Sequence, residues 1–456
     1  MKRNNRAILW FRQDLRLHDN EALADAMSQA QLIYPAYVFD PRVLDGQTRY
    51  GFPKTGFYRR RFLIESVADL SLNLQKRGAG IILRTGKPEE EIFLLAKTLK
   101  VDWVYCNRER TTEEVKVQDD LEQKLWTIGV ELRYARGKML FYTQDLPFPV
   151  THTPDTFTQF RKEVEKYVPV RDPLDTPDRI PFLHPEIEMG SIPVIDDLNY
   201  SAPNLKNQQV PEIYKGGESA GTQRLDYYFG PKNLAHTYKE TRNEMLGTDY
   251  STRFSAWLSM GCLSPKMIYQ RLKNYEHQYG ENESTYWIFF ELMWRDYFRL
   301  VGKKYNNKIF QKSGIRGIPP KNGIEDKELF AKWSGAQTGV PIVDANMTEL
   351  NHTGFMSNRG RQITASYLVN DMGLNWQMGA SYFESLLIDY DPCSNWGNWM
   401  YLAGVGNDPK EDRYFNPVTQ AKRYDPQGEY VKHWLPHLAS LTPDQIHSSS
   451  APSRVH

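Results

Sequence analysis

Three observations predict an N-terminal α/β domain built on a doubly wound parallel sheet, followed by a large all-α domain. Short apolar segments alternate with helical patterns over residues 1–135, prolines crowd the stretch after them, and helix-period segments with start signals fill residues 216–440. In order, Ala7–Phe11, Leu32–Phe39, Gly80–Arg84 and Asp102–Cys106 are rich in Val, Ile, Leu and aromatic residues, the composition of buried strands. Thr55–Lys76 and Pro88–Leu99 carry the intervening helical patterns. Residues 136–215 read as an interdomain connector: Pro147 to Pro211 holds eleven of the chain's 27 prolines, so no continuous helix is expected there. From Glu218 onward, Asp249-Tyr-Ser-Thr, Ser264-Pro265 and Asn282-Glu-Ser-Thr are helix starts. Residues 441–456 are small and polar and read as a flexible tail.

With 456 residues the chain is too long for one core, since domains run ~100–200 residues. Forty per cent apolar and 25% charged residues exclude a disordered, collagenous or disulfide-dense chain. No stretch approaches the ~18 apolar residues of a membrane span, and Met1–Trp10 runs from a basic start straight into a strand, as in a mature protein. Lys+Arg 57 against Asp+Glu 56 leaves a formal charge of +1, so contact with a polyanion must come from a local patch. Cys106, Cys262 and Cys393 are odd in number and widely spaced, which argues against disulfides and a metal site and for a reducing, cytoplasmic compartment. Thirteen per cent of residues are aromatic, and eight of the 11 Trp follow residue 250, so the helical domain is where rings are concentrated.

No G-x-G-x-x-G and no P-loop occurs, so the α/β domain lacks the usual dinucleotide and triphosphate signatures. In the helical domain, Glu291, Trp294 and Arg295 stand at i, i+3 and i+4, one carboxylate, one indole and one guanidinium on a single face. An intrahelical ion pair beside a core ring is the alternative. Asn358, Arg361 and Gln362 share a face in the same way, or else form a solvated turn. Asp389 and Asp391 follow an apolar helix and precede amides and rings; such carboxylates need a partner, and Arg361 is the natural one. The hydroxyls of Asp249-Tyr-Ser-Thr-Arg-Phe-Ser at a helix start offer either an anion site or an ordinary cap.

Together these segments resemble the photolyase/cryptochrome family, and specifically its cryptochrome DASH branch. The resemblance runs from Trp10-Phe-Arg-Gln-Asp-Leu-Arg-Leu-His-Asp-Asn20 to His433-Trp-Leu-Pro436. It is carried best by Gly216-Gly-Glu-Ser-Ala-Gly221, Thr338-Gly-Val-Pro-Ile-Val-Asp-Ala-Asn-Met347, Gly354-Phe-Met-Ser-Asn-Arg-Gly-Arg-Gln362 and Asp389-Tyr-Asp-Pro-Cys-Ser-Asn-Trp-Gly-Asn-Trp399. It implies a photolyase-like fold: an antenna domain, a helical domain holding folded FAD, and blue-light-driven electron transfer from reduced FAD to a cyclobutane pyrimidine dimer. Ser251, Thr252 and Ser255 match the FAD pyrophosphate site and Tyr238 another cofactor contact. Glu291 and Arg295 join that cofactor-binding set. Arg361 and Asp389 match the pair beside the isoalloxazine, Asp391 the carboxylate near its ribityl and pyrimidine edge, and Asn395 the amide facing flavin N5. Glu291, Trp294, Asn358, Gln362 and Tyr401 match the lesion pocket, and Glu109 in Asn107-Arg-Glu-Arg110 matches the position for a methenyltetrahydrofolate-type antenna.

Two lesion-pocket positions differ from the duplex-repairing branch, which carries a methionine in place of Gln362 and a tryptophan in place of Tyr401. Smaller or more polar walls weaken base stacking, so the expected partner is single-stranded or looped DNA, with RNA a further candidate, met by a monomer. Arg359, Lys410, Arg413, Lys422 and Arg423 are the expected phosphate contacts. The resemblance also implies a tryptophan relay to the flavin: Trp399 is the proximal ring and Trp376 the middle one, but Gly323 stands where the exposed third belongs. Trp333 is expected as a core ring, with Tyr305 a candidate substitute donor. The rival functions are a blue-light receptor with little repair and a flavoprotein that binds nucleic acid without chemistry.

Overall fold

The computed structural model describes residues 5–194, 212–320, 322–407 and 413–448. Five parallel strands form the N-terminal sheet: β1 (Arg6–Phe11), β2 (Leu32–Phe39), β3 (Ile82–Thr85), β4 (Trp103–Asn107) and β5 (Glu131–Ala135), in the order β3-β2-β1-β4-β5. The order reverses between β1 and β4, which is the doubly wound topology, with Ile8 opposite Tyr34 on one side and Val104 on the other. β1 and β2 are buried along almost their whole length, which is why their sequences are apolar runs rather than alternations. β5 was not foreseen. Its Glu131-Leu-Arg-Tyr-Ala is an edge strand with only Leu132 and Ala135 fully buried, so its apolar signal is short.

The helices Phe57–Lys76 and Pro88–Leu99 fall where the periodicity places them, the second with proline in its first turn and three glutamates beside it. The expectation that no continuous helix runs between Pro147 and Pro211 misses one element, and residues 195–211 lie outside the described residues. Thr156 caps a helix over Phe157–Tyr167, which buries Phe157, Phe160 and Val164. Prolines crowd the segment on average, yet none lies between Pro154 and Pro169, and that gap accommodates three helical turns.

Helices dominate the second domain. Asn282 caps the longest, Glu283–Tyr305, through a reciprocal bond with Thr285. Ser264 caps Pro265–Tyr279, Ser357 caps Asn358–Ser366, and Asp391 caps Pro392–Leu402. The start expected at Asp249 is displaced: residues 249–254 form a turn in which Arg253 has φ +61°, and the short helix begins only at Ser255. The expected flexible tail is also shortened, because Pro443–Ser448 forms a helix with Ile446 and His447 buried; residues 449–456 lie outside the described residues. Among the described residues no helix is long and apolar enough to cross a membrane, and no cluster of potential metal ligands occurs.

Candidate functional site

The helix Glu283–Tyr305 presents Trp287, Glu291, Trp294 and Arg295 to a cavity of about 540 Å³. Asn358, Arg361 and Gln362 line it from the Asn358–Ser366 helix, and Asp389, Asp391, Asn395, Trp399 and Tyr401 from the segment across it. A second cavity of about 260 Å³ shares Glu291, Arg295, Arg361, Asp389 and Asp391 with the first and extends to Tyr238, Ser251, Thr252 and Ser255. Every residue expected to hold cofactor or lesion therefore lies on the wall of one of two adjoining spaces.

Arg361 Nη2 reaches both carboxylate oxygens of Asp389, at 3.0 and 2.8 Å, the partnership that the sequence suggests. Asp391 finds a partner that sequence reasoning missed. Its Oδ1 accepts from the Ser394 N–H at 2.8 Å, and its Oδ2 accepts from Arg299 Nη1 at 2.9 Å. Burial opposes its charge, but Arg299, Arg295 and the Ser394 N–H together hold its carboxyl below the usual range. Arg299 also stands 3.7 Å from Glu109, which is bound by Lys138. Lys138, Glu109, Arg299 and Asp391 thus form one buried row of alternating charge between the α/β domain and the cavity floor. Glu109 borders a cavity of about 500 Å³ at the ends of β1 and β2, but its carboxylate is already committed to Lys138 and Arg299. The residue matched to the folate-type antenna position thus stands on the wall of this cavity with its carboxylate held by Lys138 and Arg299.

Glu291 and Arg295 do not pair within their helix. Glu291 is engaged by Arg242, another residue missed from sequence, whose guanidinium lies over Trp287 at 5.0 Å. Burial raises the Glu291 carboxyl above its ordinary value, with Arg242 opposing. Arg295 donates instead to the carbonyls of Lys138 and Leu258. Trp294 stacks on Phe157 at 3.7 Å, so the unforeseen connector helix backs a cavity wall. Trp294 and Tyr401 meet at 75°, making an aromatic corner.

At the other end, Arg224 binds the carbonyls of Thr248, Ser251 and Thr252. Arg253 donates to Tyr214 and to the Gly247 carbonyl. The turn carrying the Ser251 and Thr252 hydroxyls is therefore held from behind by two buried guanidinium groups, which suit it to a phosphate. The Tyr250 hydroxyl and Gln362 Oε1 are buried without a partner, and the Asn395 Nδ2 is occupied by the Ala380 carbonyl at 3.0 Å, leaving its Oδ1 as an acceptor. A phosphate-suited pole, unpartnered polar atoms and a charged floor fit FAD.

Trp399 is 2% exposed on the cavity wall, Trp376 is 1% exposed, and Trp333 is fully buried against Trp399. The ring packed on Trp376 is Trp396, at 5.6 Å, a neighbour not anticipated. Tyr305 is turned to Asp155, to which its hydroxyl donates at 2.6 Å. Of the expected phosphate contacts, Arg413 lines the larger cavity, Lys422 and Arg423 are exposed on the Pro417–Tyr424 helix, and Arg359 donates to Asn243 while lying over Tyr424. Lys410 lies outside the described residues.

A parallel-sheet domain ahead of a helical domain with this cavity defines a photolyase-type flavoprotein, and the comparisons agree. Residues 7–178 match the DNA photolyase family and residues 287–456 the FAD binding domain of DNA photolyase. The chain is 48% identical over 442 residues to the cryptochrome DASH of Gloeobacter violaceus, covering 96% of this chain and 87% of that one. The crystal structure of a Synechocystis cryptochrome superposes with a TM-score of 0.92 at 45% identity, covering 98% of this chain and 92% of that one. A bacterial class III photolyase from Agrobacterium tumefaciens gives 0.83 at 26% identity, covering 99% and 91%. The chain belongs to the photolyase/cryptochrome family, in its cryptochrome DASH branch.

Proposed function

We propose that this protein is a deoxyribodipyrimidine photolyase that splits cyclobutane pyrimidine dimers in single-stranded or looped DNA under blue light. The observation that carries the reading is the wall of the larger cavity, where the aromatic corner of Trp294 and Tyr401 and the polar groups of Glu291, Asn358 and Gln362 face the same space as the charged floor. FAD bound here in its reduced form would lend the electron that opens the dimer and take it back once both cyclobutane bonds are broken, so that the reaction is redox-neutral overall. Asp389, Arg361 and Asp391 would hold and orient it, and Ser251, Thr252 and Ser255 would take its pyrophosphate. The free Oδ1 of Asn395 matches a protonated ring nitrogen, which it stabilises without bringing a fixed charge.

The dimer enters as a flipped unit, at a cost of a few kcal/mol that is smallest in a strand already unpaired; the handling of a base outside the stack is general to photolyases. Each stacked base returns ~1–3 kcal/mol, and a wall with tyrosine at 401 and an amide at 362 returns less than one with a larger ring and a thioether. Arg359, Lys410, Arg413, Lys422 and Arg423 take the phosphates. The protein works as a monomer in a reducing, cytoplasm-like compartment, in keeping with three buried free cysteines. A folate-type antenna is seated in the cavity at the ends of β1 and β2, which Glu109 lines.

The test is a blue-light repair assay with the reduced holoprotein on matched single-stranded and duplex DNA carrying one dimer, with RNA as a third substrate. Rapid repair confined to the unpaired DNA strand is expected. Equal rates on single-stranded and duplex DNA would remove the strand preference, and binding without repair would point to a receptor.

A further inference from the structure

The two relay tryptophans end in a closed place. Trp399 stands on the wall of the cavity that Glu291 and Trp294 line, and the helix Trp376–Leu386 passes directly against its ring, where a Cβ on Gly379 would lie 2.2 Å from the indole. Trp376 itself is 1% exposed, too little for contact with an external donor, and position 323 offers only a glycine. The ring of Trp376 does have a neighbour that leads outward. Trp396 meets it edge to face, with centroids 5.6 Å apart at 77°. Trp396 in turn lines another cavity of about 540 Å³, together with Gln377, Ser381, Glu384 and Tyr390.

The Trp396 indole N–H donates to the Tyr390 hydroxyl at 3.2 Å, and the Arg59 guanidinium lies over the Tyr390 ring at 4.6 Å. Glu384 is the other hydrogen-bonding neighbour of that hydroxyl, and burial raises its carboxyl above the ordinary value, with Arg59 opposing. A carboxylate whose charge is costly to keep takes up a proton readily. A phenol that has lost one electron is a strong acid, so oxidation of Tyr390 sends its proton to Glu384. The Arg59 cation disfavours a charged radical beside it and so favours the neutral one. Return of the electron must then bring the proton back as well, which slows recombination.

We propose that Trp396 and Tyr390 form the outer end of the electron relay in this protein, and that a small thiol entering the cavity they line refills it. The proposal rests on the reading of the main cavity as the FAD site. One electron passes from Trp399 to light-excited, oxidised FAD, and the deficit moves through Trp376 and Trp396 to Tyr390, which gives its hydroxyl proton to Glu384. FAD has then gained one electron and Tyr390 has lost one. A thiolate in the cavity returns one electron to Tyr390 while Glu384 returns the proton, and two of the resulting thiyl radicals join as a disulfide. The ring missing at position 323 is thereby replaced by a lateral pair that reaches a cavity instead of open solvent.

The test is illumination of FAD-loaded protein containing ring-deuterated tyrosine or ring-deuterated tryptophan, with the radical recorded by electron paramagnetic resonance and flavin reduction by a small thiol followed separately. Without thiol, only the tyrosine label should narrow the wild-type signal, and only the tryptophan label that of Tyr390→Phe. Trp396→Phe, checked for full flavin content, should shorten the radical's lifetime and lower the thiol-driven rate, each roughly tenfold, whereas Tyr305→Phe should change neither. The proposal is overturned if the tyrosine label leaves the wild-type signal unchanged or still narrows that of Tyr390→Phe, or if Trp396→Phe keeps the wild-type lifetime and rate. Persistence of the same radical in Trp399→Phe would instead overturn the relay, and failure of wild type to hold FAD would overturn the reading of the cavity, and this proposal with either.

Discussion

Replacing Arg299 with methionine tests whether the buried row of charge supports the cavity floor. Lys138, Glu109, Arg299 and Asp391 have side chains only 4, 5, 5 and 9% exposed, and the two cations balance the two carboxylates. Arg299→Met keeps most of the side-chain volume but leaves Lys138 and Glu109 as a neutral pair and Asp391 as a stranded anion. Removing one partner of a buried pair costs ~3–5 kcal/mol. The Ser394 N–H and Arg295 remain near Asp391, so the lower end, about 3 kcal/mol, is expected. Chemical denaturation followed by circular dichroism, with FAD release followed by fluorescence, should show a lower midpoint and loss of flavin before unfolding. Asp391→Asn in the same background removes the stranded charge and should recover most of the stability. A loss below about 1 kcal/mol, or no recovery in the double variant, would refute the charge-row argument.

Glu109→Gln leaves the other end of the row exposed to titration. Burial lowers the Lys138 ammonium from 10.5 to about 8 even with Glu109 present, so removing Glu109 lowers it further. The unfolded chain then holds that proton at a pH where the folded protein has lost it, so stability rises with pH toward 10.5; the variant should be closer to wild type at pH 9 than at pH 6. Asp389→Ala should lose flavin and ~3 kcal/mol of stability, the low end because Arg361 is 25% exposed, and full flavin occupancy would count against the pairing. Glu349, buried against Tyr430, is pushed from 4.5 up to about 7, chiefly by burial. Its contribution is present below pH 4.5 and lost as pH rises through 7, on the order of 3 kcal/mol, so Glu349→Gln should flatten the fall in stability over that window in urea titrations. Trp399→Phe should abolish most photoreduction, while wild type photoreduces slowly without a thiol. Gly323→Trp should speed it, since the closest atoms a side chain there meets are the flexible end of Lys312, with Pro320 at ordinary contact distance, and the Lys312 backbone carbonyl accepts from the Trp376 indole. A long-lived, solvent-exposed tryptophan radical in wild type would contradict the truncated relay. Binding to damaged single strands should fall linearly in log salt, by about 0.7 in slope for each phosphate neutralised, and a flat line would remove the proposed basic contacts.

What the sequence by itself determined is what depends on nearest neighbours along the chain. Buried parallel strands need apolar runs, and β1 and β2 have them; helices need caps, and Ser264, Asn282 and Ser357 provide them. A helical period places Glu291, Trp294 and Arg295 on one face whatever lies opposite. The same local reasoning failed where averages hid a detail: a proline-free gap became the helix Phe157–Tyr167, and the hydroxyl-rich start at Asp249 became a turn because Arg253 adopts a left-handed conformation before Ser255.

Only the tertiary structure decided which charges meet. Glu291 is paired with Arg242 rather than Arg295, Asp391 with Arg299 across 92 positions, and Glu109 with Lys138. Such pairs carry no spacing signal, because the residues are joined by packing between elements and not by any period along one of them. Desolvation then forces each buried charge to take whichever opposite charge the packing brings within reach, and that choice exists only once the chain is folded.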